Sequence, residues 1–143
     1  MLTVWVWILD QVIKKFAINK LAGQKPVYYL NEKISFSLVK NRGAFLGWLK
    51  DKPAYLHVLT ILSIVMILVV GIPYWTSGKG KWTGIGLALM LGGALGNYTD
   101  RIRRGYVVDY IAFAPKHTVH FNLADFAIFE GVFLMFVGKW IGK

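Results

Sequence analysis

The residues that could do chemistry are concentrated in one polar stretch, from Gly92 to Asp125. It holds three aspartates, two asparagines and three arginines between two apolar segments. A carboxylate placed in the hydrocarbon of a bilayer costs roughly 2.5–3.5 kcal/mol, so acids beside apolar segments persist mainly where they have a function. We therefore interpret this stretch as a candidate site.

Two of these aspartates have contrasting surroundings. Asp109 lies in GYVVDYI, whose β-branched and aromatic residues favour a strand, and burial between apolar neighbours raises an acid's affinity for its proton. Asp125 ends the sequence NLAD, which resembles a capping box opened by Asn122. It should then lie in the first turn of a helix, where the dipole favours the ionised form. Taken alone, Asp125 could equally be a helix cap without a catalytic function.

Together, the two acids could activate water. If their carboxyls approach to about 4 Å, they repel by roughly 4 kcal/mol at an effective dielectric constant near 20, about three pK units, so the pair shares one proton. The ionised member can take a proton from water while the protonated member polarises a carbonyl, which hydrolyses an amide without a metal or a covalent intermediate. We predict that Asp125 is the ionised partner and Asp109 the protonated one.

The elements that must position these acids are predicted to be membrane helices. The chain has 143 residues, of which 56% are apolar, and a mean hydropathy of +0.50, which is too apolar for an ordinary soluble domain. We expect a single all-α membrane domain over residues 1–143, built as a four-transmembrane-helix bundle. The predicted spans are about 2–18, 54–72, 82–98 and 125–141.

The connection between the first two spans predicts a small sheet. Residues 27–39 alternate apolar and polar side chains around the turn Asn31-Glu32-Lys33, which is typical of a β-hairpin. The aromatic, glycine-punctuated GAFLGW that begins at Gly43 is expected to lie as an arm at the membrane interface. Asn41 could be a turn residue after this hairpin.

The first span carries two charges that can pair. Asp10 and Lys14 are four residues apart and so share one helical face. Their pairing could simply let this helix sit in a bundle, or it could orient groups of the site.

The third span ends in a polar cluster. Asn97, Asp100 and Arg101 are spaced three and four apart, so they project from about one face of the helix end. Earlier in the same span, the Gly92-x-x-x-Gly96 spacing allows another helix to approach closely.

Neither a cofactor nor a metal is predicted. The chain has no cysteine, and His57, His117 and His120 do not have the spacing of a tight ligand set. With a net charge of +10, the chain is expected to interact with anionic membrane lipids rather than with nucleic acid.

Five sequence blocks in order resemble the lipoprotein signal peptidases (signal peptidase II), bacterial membrane aspartyl proteases. The blocks are Asp10-Gln11-x-x-Lys14, Asn41-x-Gly43-Ala44-Phe45, Gly92-Gly93-Ala94-x-Gly96-Asn97-x-x-Asp100-Arg101, Gly105-x-Val107-Val108-Asp109-x-Ile111 and Phe121-Asn122-x-Ala124-Asp125. The resemblance implies that Asp109 and Asp125 are the catalytic dyad. It also implies substrate-binding and supporting positions at Asp10, Lys14, Asn41, Gly43, Asn97, Asp100, Arg101, Asn122 and Ala124.

The same resemblance implies the reaction and its place. The family removes the signal peptide from diacylglyceryl-modified prolipoproteins, just before the lipidated cysteine, and is inhibited by globomycin. It has four spanning helices in the bacterial inner (cytoplasmic) membrane, both termini in the cytoplasm, and the active site near the outer face. Beside the site the family has an interfacial arm and a β-cradle, which the resemblance implies for residues 25–48 and 105–122 of this chain. The charges favour the opposite orientation, with seven basic residues in the first connection and two in residues 76–81. We nevertheless expect the family's orientation.

Other classes of protein remain open on the residues alone. A small transporter or channel subunit would use Asp10, Asp109 and Asp125 as a proton or cation path. A noncatalytic assembly protein would use the Gly92-x-x-x-Gly96 face to dock another helix. An intramembrane zinc protease is disfavoured because HExxH is absent, and a presenilin-like protease because no GxGD segment occurs.

Overall fold

The structure is a computed structural model and describes residues 1–43, 49–113 and 119–141. Within these ranges it contains four long helices and one antiparallel sheet with strand order β1-β2-β3. The helices are α1 Leu2–Leu21, α2 Pro53–Ser77, α3 Lys81–Arg104 and α4 Leu123–Ile141, and the strands are β1 Val27–Tyr29, β2 Ile34–Asn41 and β3 Val107–Phe113.

All four predicted spans are helical, and every helix is longer than predicted, α2 and α3 by the most. The predicted end of the second span at residue 72, just before Pro73, is wrong, because the helix continues through Pro73 to Ser77 and is capped by Gly78, which has a φ of 68°. Pro73 is exposed. The α3 helix likewise continues to Gly105, with a φ of 74°, whose backbone N–H donates to Arg101 O. The polar cluster at 97–101 therefore lies within α3 and not beyond its end.

The α3 helix lies between α1 and α4, and glycines allow the close approach. A Cβ added at Gly92 would lie 2.7 Å from Val6 Cβ in α1. One added at Gly96 would lie 2.5 Å from Asp10 Oδ2 in α1 and 3.3 Å from Ala124 Cβ in α4. The predicted small-residue packing face is confirmed, and it is used within the chain.

The predicted hairpin is also confirmed. Strands β1 and β2 pair antiparallel, with Val27 opposite Phe36, and the turn residues Leu30, Asn31 and Glu32 have φ values of 51°, 52° and 63°. This left-handed run reverses the chain within three residues.

Strand β3 completes the sheet on the other side of β2. The register places Val39 opposite Asp109 and Asn41 opposite Val107. Phe121, just before α4, makes an isolated bridge to Ile111. The sheet thus brings Asn41, Asp109 and the start of α4 together. The predicted arm at 44–48 and the segment 114–118, which includes His117, lie outside the described residues.

Among the described residues, one helix, Pro53–Ser77, is long enough and apolar enough to cross a membrane. Most of its large apolar side chains point outward, including Val58, Leu62, Met66 and Val69, which are 55–68% exposed. The other three helices carry charged residues that lower their hydropathy.

Candidate active site

Asn122, immediately before α4, joins the two candidate acids. Its Nδ2 donates to Asp109 Oδ1 at 2.7 Å, and its backbone N–H donates to Asp125 Oδ2 at 3.0 Å. Because Asn122 is fully buried, this bridge is shielded from competing water. The sequence placed the acids on a strand and on a helix, and Asn122 brings these two elements to one point.

Asp109 is held by neutral donors on the edge of the sheet. It is 2% exposed, and its Oδ2 accepts an N–H from Asn41 Nδ2 at 2.9 Å. Burial, opposed in part by the amide donors of Asn41 and Asn122 and helped by the charge of Asp125, raises the pKa of Asp109 to about 6. This acid is therefore the one suited to hold a proton.

Asp125 lies in the first turn of α4, where it completes the predicted capping box. Asn122 Oδ1 accepts the backbone N–H of Asp125 at 3.1 Å, reciprocating the bond from Asn122 N to the Asp125 carboxylate. The other carboxylate oxygen accepts an N–H from Asn97 Nδ2 at 2.9 Å. The positive end of the helix dipole and these donors favour the ionised carboxylate.

Asn97 links the acids to a group of buried charges behind them. Its Oδ1 accepts hydrogen bonds from Asn122 Nδ2 at 3.2 Å and from Lys14 Nζ at 2.9 Å. With two donors directed at its oxygen, the amide must present its NH2 group to Asp125, so its orientation is fixed.

We call Lys14, Asp10 and Asp100 the Lys14 cluster. All three side chains are wholly buried, with Lys14 Nζ 2.9 Å from Asp10 Oδ2 and 3.2 Å from Asp100 Oδ2. The Asp10–Lys14 pair predicted from the spacing is confirmed. It forms part of a larger cluster that joins α1 to α3.

Each aspartate of the Lys14 cluster also holds a backbone amide beside a candidate catalytic acid. Asp10 Oδ1 accepts the N–H of Ala124, the residue before Asp125, at 3.1 Å. Asp100 Oδ2 accepts the N–H of Val108, the residue before Asp109, at 2.9 Å. One buried lysine therefore connects the anchors of both acids.

Two further side chains, Gln11 and Arg104, bind to the aspartates of the Lys14 cluster. Gln11 Nε2 donates to Asp10 Oδ2 at 3.1 Å and to Asp100 Oδ1 at 3.3 Å. Arg104 forms an ion pair with Asp100 one helical turn away. The two acids and two bases of this group, Asp10, Asp100, Lys14 and Arg104, have a net charge of zero.

A cavity of about 780 Å³ opens over the two candidate acids. Arg101 lines it, donating from Nη2 to Gly43 O at 3.3 Å and from Nη1 to Asn97 O at 3.4 Å. Gly43 N in turn donates to Asn41 Oδ1 at 3.0 Å, so the turn predicted for Asn41 is present alongside its bond to the acid. Arg101 thus fixes the chain at the cavity rim.

The predicted residues divide into two groups around the acids. The cavity is lined by Asn41, Gly43, Asn97, Arg101, Asp109 and Asp125. Asp10, Lys14, Asp100, Asn122 and Ala124 lie behind them and are wholly buried. No set of three or more His, Asp or Glu side chains among the described residues is arranged to hold a metal ion.

Sequence reasoning missed three contributors. Arg104 is four residues from Asp100, a spacing that could have indicated the ion pair. Gln11 is adjacent to Asp10 but had no role assigned from its position. Tyr110 gave no signal at all, and its hydroxyl accepts the backbone N–H of Leu123 at 3.0 Å.

The chain matches a known family over nearly all its length. The model of the family described as signal peptidase (SPase) II matches residues 2–141. The chain is similar to a lipoprotein signal peptidase of Clostridium tetani, with 35% identity covering 91% of this chain and 84% of that one. It is also similar to one of Halothermothrix orenii, with 36% identity covering 94% and 90%.

Two solved structures share the fold. Both are described as bacterial membrane enzymes. One has a TM-score of 0.77 at 27% identity and covers 97% of this chain and 85% of its own, and the other has a TM-score of 0.79 at 25% identity, covering 96% and 89%.

Proposed function

Because the chain belongs to the signal peptidase II family, we propose that it is a membrane aspartyl endopeptidase that removes the signal peptide from diacylglyceryl-modified prolipoproteins. Family membership makes it a peptidase and implies a prolipoprotein substrate. The proposal adds the lipid on the substrate, the cut just before the lipidated cysteine, and the two aspartates as the catalytic groups. It depends chiefly on one observation, that Asp109 and Asp125 meet through Asn122 on one cavity.

The proposed reaction uses the contrast between the two acids. Asp125 takes a proton from water, and the hydroxide attacks the carbonyl carbon of the scissile amide while protonated Asp109 donates a hydrogen bond to the carbonyl oxygen. Asp125 then gives this proton to the amide nitrogen and the C–N bond breaks, which yields a new carboxyl terminus and a new amino terminus. Asp109 suits the proton-donor role because burial raises its pKa to about 6. The proposed mechanism needs no metal or cofactor.

The cavity around the acids offers the substrate a polar binding site. Asn41 and Asn97 each hold one acid through an amide N–H, and Arg101 holds the carbonyl of Gly43 at the rim. We propose that these residues keep the acids directed at the scissile bond, and that the Arg101 charge favours the negative charge developing in the transition state.

The apolar surface of α2 supports a place in the membrane. A helix that exposes Val58, Leu62 and Met66 is stable where lipid replaces water, so we propose that membrane lipids cover it. The helices α1, α3 and α4 have 20, 24 and 19 residues, long enough to cross at about 1.5 Å per residue. The charges of α1 at Asp10 and Lys14 are wholly buried, which removes them from lipid.

We propose a multi-pass topology in the bacterial inner membrane, with the site near the outer face. Four spans return the chain to the side on which it began, so both termini lie on one side, which we propose is the cytoplasm, as the family resemblance implies. In this arrangement the sheet and the cavity lie outside, where a translocated prolipoprotein presents its cleavage site. Globomycin should inhibit the cleavage, as the family resemblance implies.

Replacing the acids one at a time tests the function. Purified wild type, Asp109→Asn and Asp125→Asn are compared for cleavage of a diacylglyceryl-prolipoprotein in detergent, with mass spectrometry of the product and thermal melting of each variant. Glu32→Gln, at the exposed hairpin turn, is the matched control. We expect a product that begins with the lipidated cysteine, and a loss of several orders of magnitude in both aspartate variants but not in the control.

Two results would contradict the proposal. Near-normal cleavage by either well-folded aspartate variant would rule out the two-acid mechanism. A wild type that leaves the lipidated substrate intact would rule out the proposed reaction, and a proton or cation flux assay in vesicles would then test the transporter interpretation.

A further inference from the structure

Tyr110 lies next to Asp109 on β3 but faces away from the catalytic cavity. Successive side chains on a strand point to opposite faces. The ring of Tyr110 is buried and lines a separate apolar groove of about 410 Å³ between α1 and the hairpin, together with Phe16, Tyr29 and Phe36. Its hydroxyl, in contrast, reaches the start of α4.

The first turn of α4 has its backbone N–H groups bound by side chains from different elements. Helix N-termini leave such donors without partners inside the helix. Here Leu123 N donates to the Tyr110 hydroxyl from β3 at 3.0 Å, and Ala124 N donates to Asp10 from α1 at 3.1 Å. Asp125 N donates to the cap residue Asn122 at 3.1 Å. The position of Asp125 is therefore set by three bonds on successive residues.

Tyr110 fixes the strand to the helix at two points. Its backbone N–H donates to Phe121 O at 3.0 Å, and its hydroxyl accepts the N–H of Leu123. One catalytic acid, Asp109, is its chain neighbour, and the other, Asp125, is two residues beyond Leu123. A change at the hydroxyl therefore acts on the distance between the two acids while the cavity lining stays intact.

We propose that Tyr110 is a positioning residue that sets the placement of Asp125 relative to Asp109 through the Leu123 amide. This inference rests on the proposed function of the two acids. Burial raises the pKa of Tyr110 to about 12, so the phenol stays neutral and the bond persists across the pH range of any assay.

Tyr110→Phe removes the acceptor and keeps the ring in the groove. We expect kcat to fall by roughly 10–100-fold, because a displacement of about 1 Å at catalytic groups costs up to about that much. KM should be unchanged, since Tyr110 does not line the catalytic cavity. The matched control is Tyr29→Phe, which removes a hydroxyl from the same groove without touching α4.

A second variant removes the donor and leaves the tyrosine in place. Leu123→Pro deletes the N–H at the first position of α4, where proline is well accommodated. If the Tyr110–Leu123 bond is what positions Asp125, this variant should lower kcat as Tyr110→Phe does. The double variant should then lose no more activity than either single one.

The test measures kcat, KM and thermal melting for wild type, the two single variants, the double variant and Tyr29→Phe, on the lipidated substrate. A common loss in kcat that does not add in the double variant supports the proposal. Additive losses, a normal kcat in folded Tyr110→Phe, or a change confined to KM would each overturn it. If the wild type fails to cleave, the proposed function itself fails, which is a different result from an active wild type with insensitive variants.

Discussion

Replacing Lys14 with methionine tests whether the Lys14 cluster holds the active site together. Methionine keeps much of the volume and removes the charge. The ammonium is wholly buried, 2.9 Å from Asp10 Oδ2 and 3.2 Å from Asp100 Oδ2. Removing one partner of a buried ion pair costs about 3–5 kcal/mol, because the charge left behind has no compensation.

The contacts that survive place the expected loss at the lower end of this range. Asp10 keeps the Ala124 amide, and Asp100 keeps Arg104 and the Val108 amide. We therefore expect a loss of about 3 kcal/mol and, at roughly 2–4 °C per kcal/mol for a chain of this size, a fall of about 10 °C in melting temperature. Cleavage should fall by roughly 100-fold, because Asp10 and Asp100, which hold the amides beside the two catalytic acids, are no longer joined through Lys14.

The assay pairs thermal melting in detergent with cleavage of the lipidated substrate. Lys15→Met, the exposed neighbour on α1, is the control and should behave as wild type. Adding Asp10→Asn to Lys14→Met removes the unpaired charge of Asp10, so the melting temperature should partly recover while activity stays low. If Lys14→Met melts and cleaves like Lys15→Met, the cluster neither stabilises the fold nor positions the acids.

The pH dependence, the Asn122 bridge and the Gly96 contact give three further tests. Since the pKa of Asp109 is raised to about 6 and the mechanism needs this acid protonated, kcat/KM should fall about tenfold per pH unit above about 6, and a flat pH–rate profile would contradict this. Asn122→Ala should lower the free energy of unfolding by about 1 kcal/mol, because the helix cap is lost. Melting and activity assays should show that cleavage falls by far more than this loss of stability explains. Gly96→Ala places a methyl 2.5 Å from Asp10 Oδ2, so it should cost about 1–3 kcal/mol in melting experiments, and an unchanged melting temperature would refute that contact.

Local patterns in the sequence were sufficient to predict several parts of the site. The four-residue spacing of Asp10 and Lys14 predicted their ion pair, and NLAD predicted the capping box of Asn122 and Asp125. Alternation around Asn31 predicted the hairpin. Each of these features depends on residues close in the chain, where geometry follows directly from the helix or strand period.

The anchors of the catalytic acids could not be found in this way. Asp10 and Ala124 are separated by 114 positions, and the acceptor meets a backbone amide that any residue type would supply. The hydroxyl of Tyr110 likewise accepts from a backbone amide, that of Leu123, which any residue type at position 123 other than proline would supply. Pro73 shows the converse limit, because α2 continues through a residue that usually ends a helix. Such contacts depend on tertiary packing, which the spacing of residues along the sequence does not reveal.

The side chains that hold the two acids in place are neutral, and the buried charged side chains lie behind them. Every hydrogen bond from a side chain to Asp109 or Asp125, within the part of the chain described, comes from a neutral asparagine: Asn41, Asn97 or Asn122. A lysine in direct contact would favour ionisation of both carboxyls and remove the proton that the mechanism requires. Lys14 instead reaches Asp125 only through Asn97, and two aspartates offset its charge. The buried charges can therefore give the site rigidity while the pair itself keeps a shared proton.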